Sequence, residues 1–120
     1  MKPQGEISAG ITRFEQEFRG RGPKDIIAYV LGDFVVARLQ GLLTPAEQQL
    51  AKIPSEKGRD LLKQVRTHLI ETARPLLETM IQEVTGVKVL SLHHDISTVT
   101  GEEVVIFTLA EPPLFRDAKK

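Results

Sequence analysis

Residues 25–40 constrain the fold more than any other stretch of this chain. The runs Asp25-Ile26-Ile27-Ala28-Tyr29-Val30-Leu31 and Phe34-Val35-Val36-Ala37-Arg38-Leu39-Gln40 are separated by Gly32-Asp33 alone. Glycine in the first of two loop positions signals a type II′ hairpin. That loop sets the register: Leu31 lies opposite Phe34, Tyr29 opposite Val36 and Ile27 opposite Arg38, while Ile26, Ala28, Val30, Val35, Ala37 and Leu39 share the other face. Both faces are then largely apolar. An antiparallel sheet with one solvated face alternates apolar and polar residues, so this hairpin calls for helices on both sides or a second subunit. With the apolar stripe on the first helix, it leads us to expect a homodimer.

The elements around the hairpin follow from periodicity and caps. Ile7, Ile11, Phe14 and Phe18 fall on one helical stripe, with Arg19 suited to the helix C-terminus and Gly20 to its end. Thr44-Pro45-x-Glu47 is a capping box with proline at the first helical position, and that helix is expected to end near Pro54. Ser55 can cap a long helix that carries Leu61, Leu62, Val65, Leu69, Ala73, Leu76, Leu77, Met80, Ile81 and Val84 up to Thr85-Gly86. Pro75 removes one backbone donor within it, and a kink is expected in the turn before. Extended runs at 87–97 and 103–110, with a turn around Val99-Thr100-Gly101, complete an α-ββ-α-α-ββ order. The fold class expected is α+β in two layers, with an antiparallel sheet of about four strands packed on helices. One domain, 1–120, is expected, with its core at about 5–110 and a mobile tail at 111–120.

Composition narrows the function classes. Sixteen basic residues balance sixteen acidic ones, so no overall field draws in nucleic acid or an anionic membrane. One tyrosine and five phenylalanines offer little for base stacking, and no nucleic-acid partner is expected. Without cysteine there is no thiol nucleophile, thiolate metal site or disulfide framework, in keeping with a reducing compartment. The start, Met-Lys-Pro-Gln-Gly-Glu, lacks a secretion signal's apolar core. The most apolar stretch, 26–37, is far below the roughly 20 residues a membrane span needs. A cytoplasmic location without a direct span is expected.

Candidates for chemistry are few. His93-His94-Asp95 places two of the three histidines beside an acid, a candidate proton-sensing group. Neighbours on a strand point to opposite faces: His94 is expected to share a face with Leu90, Leu92 and Ile96, and His93 with Ser91 and Asp95. The pair therefore diverges, which favours a semi-buried His94 and a surface His93 over chelation; a third ligand would have to come from elsewhere, such as His68 or a glutamate of the long helix. Arg21 and Lys24, in Gly20-Arg21-Gly22-Pro23-Lys24, could hold a small anion, although a helix stop and turn accounts for the same residues. Lys52, Lys57, Arg59, Lys63 and Arg66 gather positive charge early in the helical region. There is no Gly-x-Ser-x-Gly elbow, and no catalytic residue, metal or cofactor is expected.

Taken in order, Gly20-x-Gly22-Pro23, Gly32-Asp33 between apolar strands, Leu43-Thr44-x-x-Glu47-x-x-Leu50, Gly58-Arg59, Arg66, Thr85-Gly86 and Val105-x-Phe107-x-Leu109 resemble the MpsC family. That bacterial family, formerly a domain of unknown function, is named after a component of a sodium-translocating, membrane-potential-generating system. The likeness runs over about residues 5–110. It implies association with a membrane system linked to cation transport and inorganic-carbon uptake, whose other components carry the membrane spans, and it implies no catalytic residues. Most matched positions are explained by turns and caps; Arg59 and Arg66, seven apart on one helical face, are not. The expectation is an accessory or adaptor protein, held at the inner face of the membrane through a partner that contacts Arg59, Lys63 and Arg66 on an exposed basic face. The alternative is a cytosolic regulatory module binding a small anion.

Overall fold

A computed structural model describes residues 2–52 and 56–114. The elements run α1 (Pro3–Arg19), β1 (Asp25–Leu31), β2 (Phe34–Gln40), α2 (Pro45–Lys52), α3 (Glu56–Thr85), β3 (Val89–Ile96) and β4 (Glu103–Leu109). This is the expected α-ββ-α-α-ββ order. The expected helix end at Pro54, the cap at Ser55 and the tail segment 115–120 lie outside the described residues.

The four strands form one antiparallel sheet in the order β1-β2-β4-β3, so the two hairpins join through β2 and β4. Gly32 takes φ 62° at the first loop position, and Leu31, Tyr29 and Ile27 pair with Phe34, Val36 and Arg38 as the two-residue turn dictates. β4 continues the rows, with Ile106 beside Val36 and Val104 beside Arg38. Ala28, Val35, Ala37, Leu39, Val105, Phe107 and Leu109 are buried under the helices. Fully burying such a side chain is worth about 1.5–3 kcal/mol for the larger ones.

α1 packs on β1, α3 on β3, and the two helices pack on each other. Ile7, Ile11 and Phe14 supply the buried stripe of α1, and Leu62, Ile70, Ala73, Leu77 and Ile81 that of α3. A Cβ on Gly10 would lie 2.8 Å from the Met80 side chain; the missing methyl is what lets α1 approach α3 there. α1 begins earlier than its stripe suggests, because Pro3 opens the first turn. α3 runs on through Pro75 as one element of 30 residues.

One expectation changes. The pairing of β3 with β4 shifts between Val89 and Ser91, and the extra residue of this bulge turns Leu90 outward, 57% exposed. Val89, not Leu90, is therefore the residue buried with Leu92 and Ile96 on the face of His94. Among the described residues the 25–40 hairpin has helices on one side only, so of the two alternatives for its apolar faces the second subunit is the one left open. On the other side, Ile27, Tyr29, Leu31 and Phe34 stay 37–59% exposed.

Candidate functional site

A chain of charges runs through the middle of this fold. Arg66 of α3 and Glu15 of α1 are both 0% exposed. The guanidinium grips the carboxylate with two parallel bonds, Nη1 to Oε1 at 3.1 Å and Nη2 to Oε2 at 2.9 Å, the fork geometry that only arginine offers. Nη2 also donates to Oε1 of Glu103, the equally buried first residue of β4. On the other side, Arg19 lies 3.6 Å from Glu15 and donates to the Leu42 carbonyl at 3.0 Å and to Glu47 Oε1 at 2.6 Å. At the far end, His94 Nδ1 stands 3.3 Å from Glu103 Oε2. Glu47, Arg19, Glu15, Arg66 and Glu103 thus alternate in sign from α2 to β4, and His94 of the edge strand β3 stands at the end of the row.

Local chemistry places each member. Thr44 and Glu47 form the expected capping box, with the Thr44 amide donating to Glu47 Oε1 at 2.8 Å and the Glu47 amide to the Thr44 hydroxyl at 3.2 Å. Burial works to raise the Glu47 carboxyl, but the Thr44 amide, the Arg19 charge and the Thr44 hydroxyl together hold it below its usual range. Burial likewise works to lower the Arg66 guanidinium; hydrogen bonds to Glu15 and the charges of Glu103 and Glu15 outweigh it and hold the group above the ordinary arginine range. Arg19 and Arg66 also line an open groove of about 550 Å³ walled by Phe18, Val65 and Leu69 and bordered by His68.

The expected basic contact face does not exist as a trio. Arg66 is wholly buried, because the α3 face that carries it is the face that meets α1 and the sheet. Arg59 is half-buried. Lys63 reaches over the β3 edge to Asp95 at 2.7 Å, and this hydrogen bond, with burial opposing it, holds Asp95 below the usual carboxylate range. Asp95 therefore pairs with Lys63, while the exposed His93 lies 3.1 Å from the Ser91 hydroxyl. Arg21 donates to the Gly41 carbonyl at 3.3 Å, and the Lys24 stem packs where a Gly41 Cβ would stand. Both residues of the expected anion cradle thus brace the exit of β2. Among the described residues no three histidine, aspartate or glutamate side chains gather as metal ligands.

From the sequence, Arg19 is assigned only to a helix end, and Glu15 and Glu103 are given no part. A usable signal exists for each acid. Glu15 follows Phe14 and lies four residues after Ile11, inside the apolar stripe, and Glu103 shares its strand face with Val105, Phe107 and Leu109.

The whole arrangement falls within a region, residues 2–111, that matches the family described as "Na+-translocating membrane potential-generating system (MpsC)". The chain belongs to the MpsC family. Two relatives from Bacillus subtilis (strain 168) share its length. "Uncharacterized protein YbcI" is 39% identical over 106 residues, covering 88% of this chain and 84% of the relative. "Uncharacterized protein YrhF" is 30% identical over 104 residues, covering 85% and 83%. No solved structure matches significantly. Of the two MpsC-like positions that turns and caps leave unexplained, Arg66 now has a structural account: it ties two helices to the sheet.

The two histidines of this MpsC-family chain are expected to differ in mutational cost. His94→Ala leaves Glu103 Oε2 facing a gap and should cost about 1–3 kcal/mol, whereas His93→Ala on the exposed face should stay within about 0.5 kcal/mol. Urea melts of the two variants check this; equal midpoints would contradict the inward placement of His94.

Proposed function

We propose that this protein is an accessory component of a Na+-translocating, membrane-potential-generating system, that it works by protein contact rather than catalysis, and that it does so as a homodimer joined through the open sheet face. Family membership supports the setting. No helix among the described residues is long and apolar enough to cross a membrane, so a role for these residues in such a system is one of docking, regulating or assembling.

The observation that carries the contact is the uncovered sheet face. Ile27, Tyr29, Leu31 and Phe34 are exposed there, beside the half-buried Val36, Val104 and Ile106. Patches of this kind mark interaction sites. The occupant follows from charge. Arg38 is paired within the chain to Glu102 at 2.8 Å, and Asp95 to Lys63. Gln40 and then Arg38 hold the Glu102 carboxyl below its usual range, so it remains ionised in that pair. The face thus presents neutralised pairs around an apolar middle. Asp25 stands at its rim, opposite Gln40, so the uncharged middle neither repels an identical face nor demands a strongly charged partner. A second copy related by a twofold axis satisfies both conditions.

Two measurements separate the parts of this proposal. Light scattering at micromolar concentration should give twice the chain mass; a single-chain mass removes the dimer. Co-expression with the membrane-spanning subunits should carry tagged protein into the membrane fraction; equal recovery without those subunits removes the accessory role and leaves the dimer standing.

A further inference from the structure

Two buried polar atoms face each other without a hydrogen bond among the described residues: His94 Nδ1 and Glu103 Oε2, 3.3 Å apart. An unsatisfied buried acceptor is costly, and a buried carboxylate oxygen more so. A hydrogen on Nδ1, shared with Oε2, satisfies both atoms at once. The opposite tautomer leaves two lone pairs confronting each other.

Charge points the same way. The chain holds three carboxylates, Glu47, Glu15 and Glu103, against two guanidiniums, Arg19 and Arg66. The groups around His94 are Glu103 of β4, Arg66 and Lys63 of α3, Asp95 of β3 and, behind Arg66, Glu15 of α1. Lys63 and Asp95 cancel each other, and both Arg66 and Glu15 are already engaged. Among the described residues the one buried carboxylate oxygen left without a donor is Glu103 Oε2, and a protonated imidazole at His94 brings the count to three against three.

We infer that His94 and Glu103 form a buried proton-binding site, in which a hydrogen on Nδ1 of the protonated imidazole is donated to Glu103 Oε2 and locks the edge strand β3 to the Arg66–Glu15 pair that joins the helices. The lock is independent of the sheet-face contact, which lies on the opposite side of the sheet. The proton stabilises the fold while it is bound. Its contribution is present while the imidazole carries that proton and is lost when the proton leaves, so it falls as pH rises. The β3 edge and its Lys63–Asp95 clasp loosen with it.

The test uses the full chain. Nitrogen-15 spectra of labelled histidine at pH 5.5 should show both ring nitrogens of His94 protonated; an unprotonated Nδ1 or Nε2 overturns the inference. Asparagine places an amide donor near the position of Nδ1 and does not titrate, so the wild type should lose several degrees of melting temperature relative to His94→Asn between pH 5.5 and 8. A constant gap across that range also overturns it. The spectra of the wild type decide alone if His94→Asn does not fold.

Discussion

Replacing Arg66 by alanine should cost about 3–5 kcal/mol, since it leaves the Glu15 and Glu103 carboxylates buried without their common partner. Domains are stable by about 5–15 kcal/mol in all, so the variant should sit at the edge of unfolding at room temperature. Arg66→Lys should fall between: it restores the charge but cannot reproduce the two-pronged grip on Glu15. Urea denaturation reads both, and an alanine variant within about 1 kcal/mol of wild type would show that the carboxylates find other means of neutralisation. The effect does not measure what the ion pairs contribute to stability. An apolar trio of matched shape could hold the same space as well; the cost lies in the charge left behind.

Val36→Lys should abolish the self-association proposed above while sparing the fold. Val36 lies in the middle row of the open face, between Tyr29 of β1 and Ile106 of β4. In a single chain its side chain is half-exposed, and a lysine there can extend into water. Across a twofold interface the same lysine enters twice, each time in apolar surroundings. A penalty of roughly 3 kcal/mol corresponds to more than a hundredfold in the dissociation constant. Sedimentation or light scattering over a concentration series should show single chains with an unchanged melting profile. A variant that keeps the dimer mass at wild-type concentrations would place the contact elsewhere on the molecule.

What could be read from the sequence was whatever local chemistry decides. Gly32-Asp33 fixes the first hairpin's register because a two-residue loop admits no slippage, and Thr44 with Glu47 marks a helix start because the cap bonds close within one turn. The bulge at Leu90 was not legible, since it depends on how β3 meets β4 and no residue type announces it. The resemblance points to Arg66, and its residue type points to the surface. Arginine is so seldom fully buried that exposure is the default, and only two acids converging from α1 and β4 reverse it. Those acids stood in apolar patterns of their own. At Glu102-Glu103 two adjacent carboxylates on a strand must point to opposite faces, so one of them had to face the helices.

The carboxylate at Glu103 also resolves an ambiguity that oiliness leaves open. A hairpin greasy on both sides gives the collapsing helices no reason to prefer one side of it, and hydrophobic burial alone would tolerate the inverted sandwich. In that inverted arrangement, or after a one-residue slip of β4, Glu103 turns away and Arg66 is stranded among leucines and isoleucines. The two alternatives are penalised, while the observed handedness of the layers is left standing. The buried ions act here as a key that fits one way round, and the second greasy face is thereby left uncovered.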